Sequence, residues 1–167
     1  MKNILFIICA LFVLVLISNY ITKENLIPED AIRIRVIANS NSEDDQNLKI
    51  KIKDEIETLL YSRLKDVKNI DEADVIIKKE LPSVKEIIDK YTVDYKINYG
   101  LNYFPKKEYK GVEYDEGNYK SLVVTLGNGL GDNWWCVLFP PLCLLEAQDS
   151  TDVEYHSYVV DLINKYK

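Results

Sequence analysis

Beyond the apolar first segment, which holds Cys9, the candidates for a nucleophile, its base or a metal ligand are Cys136, Cys143 and His156. A thiol enzyme needs a base within hydrogen-bond reach, and nothing in the sequence brings His156, the only histidine, to Cys136. As zinc ligands the three lack the paired spacing of a structural site, so no metal is expected. Among 27 acidic residues no pair stands out for acid–base work. Gly127, Gly129 and Gly131 are spaced GxGxG, not GxGxxG, and no helix start suited to phosphate follows them. Neither a nucleotide nor another cofactor is expected.

What remains is contact chemistry. Residues 127–143 read GNGLGDNWWCVLFPPLC, a glycine-rich loop leading into large, low-entropy surface of the kind that dominates interfaces. Asn133, Trp134, Trp135, Val137, Phe139, Pro140 and Pro141 are the candidate partner-binding residues. Adjacent tryptophans cannot both enter a core from a regular strand, so one of them is expected to be structural. The bland alternative is that the whole loop plugs the sheet. Cys136 and Cys143, with six residues between them, form a candidate disulfide on the exported side of a membrane, worth about 2.5 kcal/mol on a chain-entropy estimate. Two reduced, buried thiols are the alternative.

The elements that must position this segment are readable from periodicity. Residues 31–38 alternate Ile32, Ile34 and Val36 with Arg33 and Arg35, the pattern of a half-buried strand. Capping side chains at 39–42 precede an amphipathic helix over about 43–67. A second helix starts near Asp71 on Val75, Ile76, Leu81, Val84, Ile87, Ile88 and Tyr91, with Pro82 expected to bend or split it. From Asp94 the period becomes two, placing Tyr95, Ile97, Tyr99, Leu101 and Tyr103 on one strand face. Residues 109–114 and 119–126 read as two more strands, joined by a turn over 115–118. A terminal helix is expected over 152–166. The implied fold is α+β, a helical pair packed on one face of a mostly antiparallel sheet.

Fourteen unbroken apolar residues, 4–17, follow Lys2. This length suits an export signal better than a bilayer span of about 20 residues. Residues 1–25 are therefore read as a signal peptide or signal anchor and 26–167 as one exported domain. The net charge of −6 excludes nucleic acid as a natural partner. Lys49, Lys51 and Lys53 read as scattered, solvated surface.

Three stretches, IRIRVIANSNSEDDQNLKIKIKDEI at 32–56, YFPKKEYKGVEYDEGNY at 103–119 and LGNGLGDNWWCVLFPPLC at 126–143, resemble in that order the stage II sporulation protein R family. The family pattern falls on Phe104, Pro105, Tyr109, Gly117, Tyr119, Asn133, Trp134, Trp135, Cys136, Phe139, Pro140, Pro141 and Cys143. Asp115 and Glu116 replace a frequent Pro-Ala pair, and Asp132 stands where a basic residue is common. The resemblance implies an exported messenger of the forespore. It would act in the space between forespore and mother-cell membranes, or remain anchored there, and trigger a membrane-embedded aspartic protease of the mother cell to process a pro-sigma factor. The chain would then be a non-catalytic activator.

Two other classes compete: an exported cysteine hydrolase centred on Cys136, and an envelope-binding module using Tyr95, Tyr99 and Tyr103. If Cys136 and Cys143 are bridged, the secreted protein takes up alkylating reagent on them only after reduction. Equal alkylation with and without reductant, read by mass spectrometry, would show two free thiols.

Overall fold

Ser42 and Asn69 each stand in extended backbone and accept an amide three residues on, from Asp45 at 3.2 Å and Glu72 at 2.9 Å. These caps satisfy donors that a helix start otherwise leaves orphaned, and acidic side chains in both first turns complement the helix dipole. In this computed structural model, which describes residues 31–109 and 112–141, they open helices α1 (Glu43–Leu64) and α2 (Ile70–Asp89). The expected terminal helix and the export segment lie outside the described residues.

α1 buries Ile52, Ile56, Leu60 and Leu64, one residue per turn along a single stripe. α2 buries Ala73, Ile77, Val84, Ile87 and Ile88. Val75, assigned to the apolar stripe by its type, instead points outward at 64% exposure. Pro82 does not split α2, which runs through it as one helix. Packing of Val84, Ile87 and Ile88 against the core outweighs the amide bond that the proline cannot make.

The strands are β1 (Ile32–Ile37), β2 (Tyr95–Phe104), β3 (Lys107–Tyr109), β4 (Val112–Tyr114), β5 (Gly117–Leu126) and β6 (Asn133–Phe139). Four of them form a mixed sheet in the order β2-β5-β1-β6. β2 pairs antiparallel with β5, β1 parallel with β5, and β6 antiparallel with β1. Two of its three junctions are therefore antiparallel. The expected strand over 109–114 is instead divided between β3 and β4, which pair with each other. No turn occupies 115–118, because Gly117 and Asn118 already belong to β5, opposite Phe104 and Tyr103.

Both helices contribute to one core with the sheet. Ile32, Ile34 and Val36 of β1, Leu122, Val124 and Leu126 of β5, and Leu138 and Phe139 of β6 share it with the helix stripes, and Tyr95, Ile97 and Tyr99 pack at its margin. Tyr99 donates to Asp74 of α2 at 2.8 Å, and Lys78 and Lys120 reach the other carboxylate oxygen at 2.8 Å each. Burial alone would raise the Asp74 pKa, but these hydrogen bonds, Lys120 first, outweigh it and hold the group at about 2.

A carboxylate held below its unfolded value adds stability that is full above about pH 4 and is lost as pH falls through about 2. Lys78 is largely solvent-exposed, so the effect is discounted for screening. Asp74→Asn is expected to cost about 1–2 kcal/mol at pH 7 in urea unfolding and to flatten the stability profile between pH 4 and 2. An unchanged profile would show that the cluster contributes nothing.

Candidate functional site

Residues 127–132 lead from β5 into β6 across the top of the sheet, and every turn of that path is fixed by the loop that follows β1. Gly131 N–H donates to the Ala38 carbonyl at 2.9 Å and Leu130 N–H to the Asn39 carbonyl at 3.0 Å. Side chains complete the seam: Asn39 Oδ1 accepts Asn128 N–H at 2.9 Å, and Asn41 Oδ1 accepts Asp132 N–H at 2.6 Å. Asn39 is itself oriented by donating Nδ2–H to Asp45 at 2.9 Å, and Ser40 donates to the same carboxylate oxygen. Those two bonds, Ser40 first, lower the Asp45 pKa. On the other flank Gly127 N–H donates to the Asp94 carbonyl at 2.8 Å, joining the loop to the start of β2.

The glycines follow from this close approach. Gly127 and Gly129 have φ of +53° and +66°, a region L side chains rarely adopt. A Cβ on Gly131 would fall 2.2 Å from the Ser40 carbonyl oxygen, a contact with main chain that cannot rotate away. The spacing that resembled a broken phosphate motif serves contact between two loops.

Beyond the loop the chain forms β6, so the expected loop over 127–143 is a strand from Asn133 to Phe139. Strand alternation sends the two tryptophans to opposite faces of the sheet. Trp134 lies opposite Val36 and packs at the edge of the helix-covered core, with Lys53 Nζ 4.9 Å from its ring centroid. Trp135 lies opposite Arg35 on the other face. Arg35 stacks 4.3 Å from the Trp135 centroid, and burial lowers the guanidinium pKa. The Phe104 ring meets Trp135 edge-on at 5.0 Å. Arg33 continues this layer, 3.3 Å from the Tyr119 centroid and 5.5 Å from that of Phe104. Arg33 was expected on a solvated strand face; it is 6% exposed, its charge set against aromatic faces.

The seven candidate contact residues therefore divide. Asn133, Trp134 and Trp135 are half-buried, whereas Val137, Phe139, Pro140 and Pro141 are buried. A register shift between Ile32 and Arg33 lets both Leu138 and Phe139 enter the core. Cys136 stands opposite Ile34 and packs against the core. Cys143 and His156 lie outside the described residues. Tyr95 and Tyr99 pack toward the helices and donate to Asp89 and Asp74 of α2, leaving Tyr103 as the exposed member of the tyrosine face.

Lys49 and Lys53 are not the solvated surface that a spacing of two along the chain suggests. Lys49 is buried and donates to Gln46 Oε1 at 2.5 Å and to the Asp132 carbonyl at 3.0 Å. Burial lowers its pKa, and the charge of Asp132 opposes that shift. Lys53 pairs with Asp54 at 2.7 Å and Glu57 at 2.8 Å beneath Trp134. The signal was present: four residues apart, the two lysines share a helix face with the buried stripe.

The profile of the stage II sporulation protein R family matches residues 28–149. The chain belongs to this family. A member from Bacillus subtilis (strain 168), stage II sporulation protein R, is 40% identical over 135 residues, which cover 77% of this chain and 60% of that relative. The chain thus aligns with less than two thirds of the relative's length. No solved structure matches. The family match contains the whole seam between the two loops and all of β6.

Replacing Gly131 by alanine forces the seam apart and is expected to cost about 2–3 kcal/mol in denaturant unfolding. Gly100, around whose Cβ position nothing lies within 4 Å, should accept alanine with less than about 1 kcal/mol of change. Equal effects at the two positions would refute the tight approach.

Proposed function

We propose that this chain is an exported messenger of sporulation that activates a protease by contact and performs no chemistry of its own. The observation that carries the reading is the family match over residues 28–149. Residues 1–25 would deliver the domain from the forespore into the space between the two cells' membranes, cleaved or retained as an anchor. There it would engage the membrane-embedded aspartic protease of the mother cell and favour its active state, so that a pro-sigma factor is processed. A ligand can shift such an equilibrium only by binding the active state more tightly.

Within β6 the contact is assigned to Asn133, Trp134 and Trp135, since burial withholds Val137, Phe139, Pro140 and Pro141 from a partner. Their part is to fix the strand. A bridge from Cys136 to Cys143 would tie the end of β6 down. Such a bridge would also count against a hydrolase centred on that sulfur, because the nucleophile must be a free thiolate.

Co-expression of the full chain with the candidate protease and its pro-sigma substrate tests the reading. Trp135→Ala is expected to reduce processing at least tenfold at a temperature where circular dichroism shows the exported domain folded, although loss of the Arg35 stack and the Phe104 contact lowers its unfolding midpoint. Trp134→Ala also loses core packing and the Lys53 contact, so its unfolding midpoint is expected to fall as well. Full processing by both variants would refute contact through β6. Cys136→Ser combined with Cys143→Ser should retain partial activity; complete loss with an intact fold would favour the thiol enzyme.

A further inference from the structure

Val93 and Leu130, at 90% and 81%, are the two most exposed large apolar side chains among the described residues. Both lie at the same end of the sheet. β1 and β5 run parallel and finish there, while β2 and β6 begin there, so the turns at 38–42, 90–94 and 127–132 share one end. The amide bonds from Gly127 to Asp94, Leu130 to Asn39 and Gly131 to Ala38 lock the three turns together. Leu130 stands between two glycines that allow its main chain to sit tightly on the Asn39 loop, with its side chain turned to solvent. An apolar residue held outward on rigid backbone binds without the ordering cost that a mobile loop incurs.

Acidic side chains predominate around it. Glu43, Asp44, Asp94 and Asp132 are exposed at this end. Of the nearby cations Lys49 is buried on Gln46 and the Asp132 carbonyl and Lys90 is paired with Glu55 at 2.8 Å, which leaves Lys96 as an exposed cation against four exposed carboxylates. Such a rim repels an anionic lipid surface and favours a basic one.

We infer that this loop end is a docking surface in which Leu130 and Val93 enter an apolar pocket of a protein partner whose rim is basic, with Glu43, Asp44, Asp94 and Asp132 facing that rim. This rests on the proposed function for the identity of the partner and adds where, and by what chemistry, it is met. The surface is separate from the half-buried tryptophans, whose strand the same loop introduces.

The test is pro-sigma processing in cells co-expressing the full chain, the candidate protease and the substrate. Leu130→Lys with Val93→Lys is expected to reduce processing at least tenfold, with export and thermal midpoint unchanged because both side chains lie in solvent. Leu130→Met should process normally. Asp94→Asn with Asp132→Asn should lower processing several-fold. Leu101→Lys, at a 76% exposed position elsewhere on the sheet, should be silent. If the unmodified chain drives processing and the double lysine variant matches it, the docking surface is wrong and the proposed function stands. Equal loss from Leu101→Lys also overturns the surface, and normal processing by the double asparagine variant overturns the basic rim. An unmodified chain that triggers no processing refutes the proposed function and this inference with it.

Discussion

Asn39 stands where the two halves of the sheet are tied together. Its carbonyl oxygen accepts the amide of Leu130, its side-chain oxygen accepts that of Asn128, and its side-chain amide is fixed by Asp45 of the first helix. Each bond is ordinary in strength, about 1 kcal/mol net. Together they set the direction in which the chain enters β6. Without that direction the register that puts Trp134 opposite Val36 and Trp135 opposite Arg35 would have no local cause. A polar side chain in a connecting turn therefore governs which face of the sheet each indole occupies.

The consequence reaches both faces. On one, Trp134 closes the edge of an aliphatic core, aided by Lys53, whose stem covers apolar surface while its charge meets the ring and two carboxylates. On the other, Arg33 and Arg35 alternate with Tyr119, Phe104 and Trp135 in a layer of cations and rings. Guanidinium groups suit this place because they are weakly hydrated and planar. β1 thus has two buried faces of different chemistry, aliphatic toward the helices and cationic toward the aromatics.

Much of this was legible in the residues. The alternation in β1, the capping of α1 at Ser42 and the switch to period two at β2 each have a local cause, and each is found where that cause sits. β6 was not legible as a strand. Its residues are apolar or aromatic at nearly every position, so no alternation marks it, and the flanking glycines and prolines imitate a loop. The two tryptophans do separate, because strand geometry alone sends adjacent side chains to opposite faces. Arg33 and the two lysines of α1 were misplaced for a common reason: charge was taken as a sign of solvent, whereas long cationic side chains are buried readily when a ring or carbonyl meets the charged end. Division of 109–114 between two short strands depends on pairing between residues whose neighbours carry no distinctive pattern.

The parallel ladder between β1 and β5 has a temporal side. The first strand of the sheet finds one neighbour only at residues 117–126 and the other only at 133–139. As the polypeptide is made from its amino end, its central strand waits unpaired until most of the chain is present. Assembly dominated by such distant partners is slow.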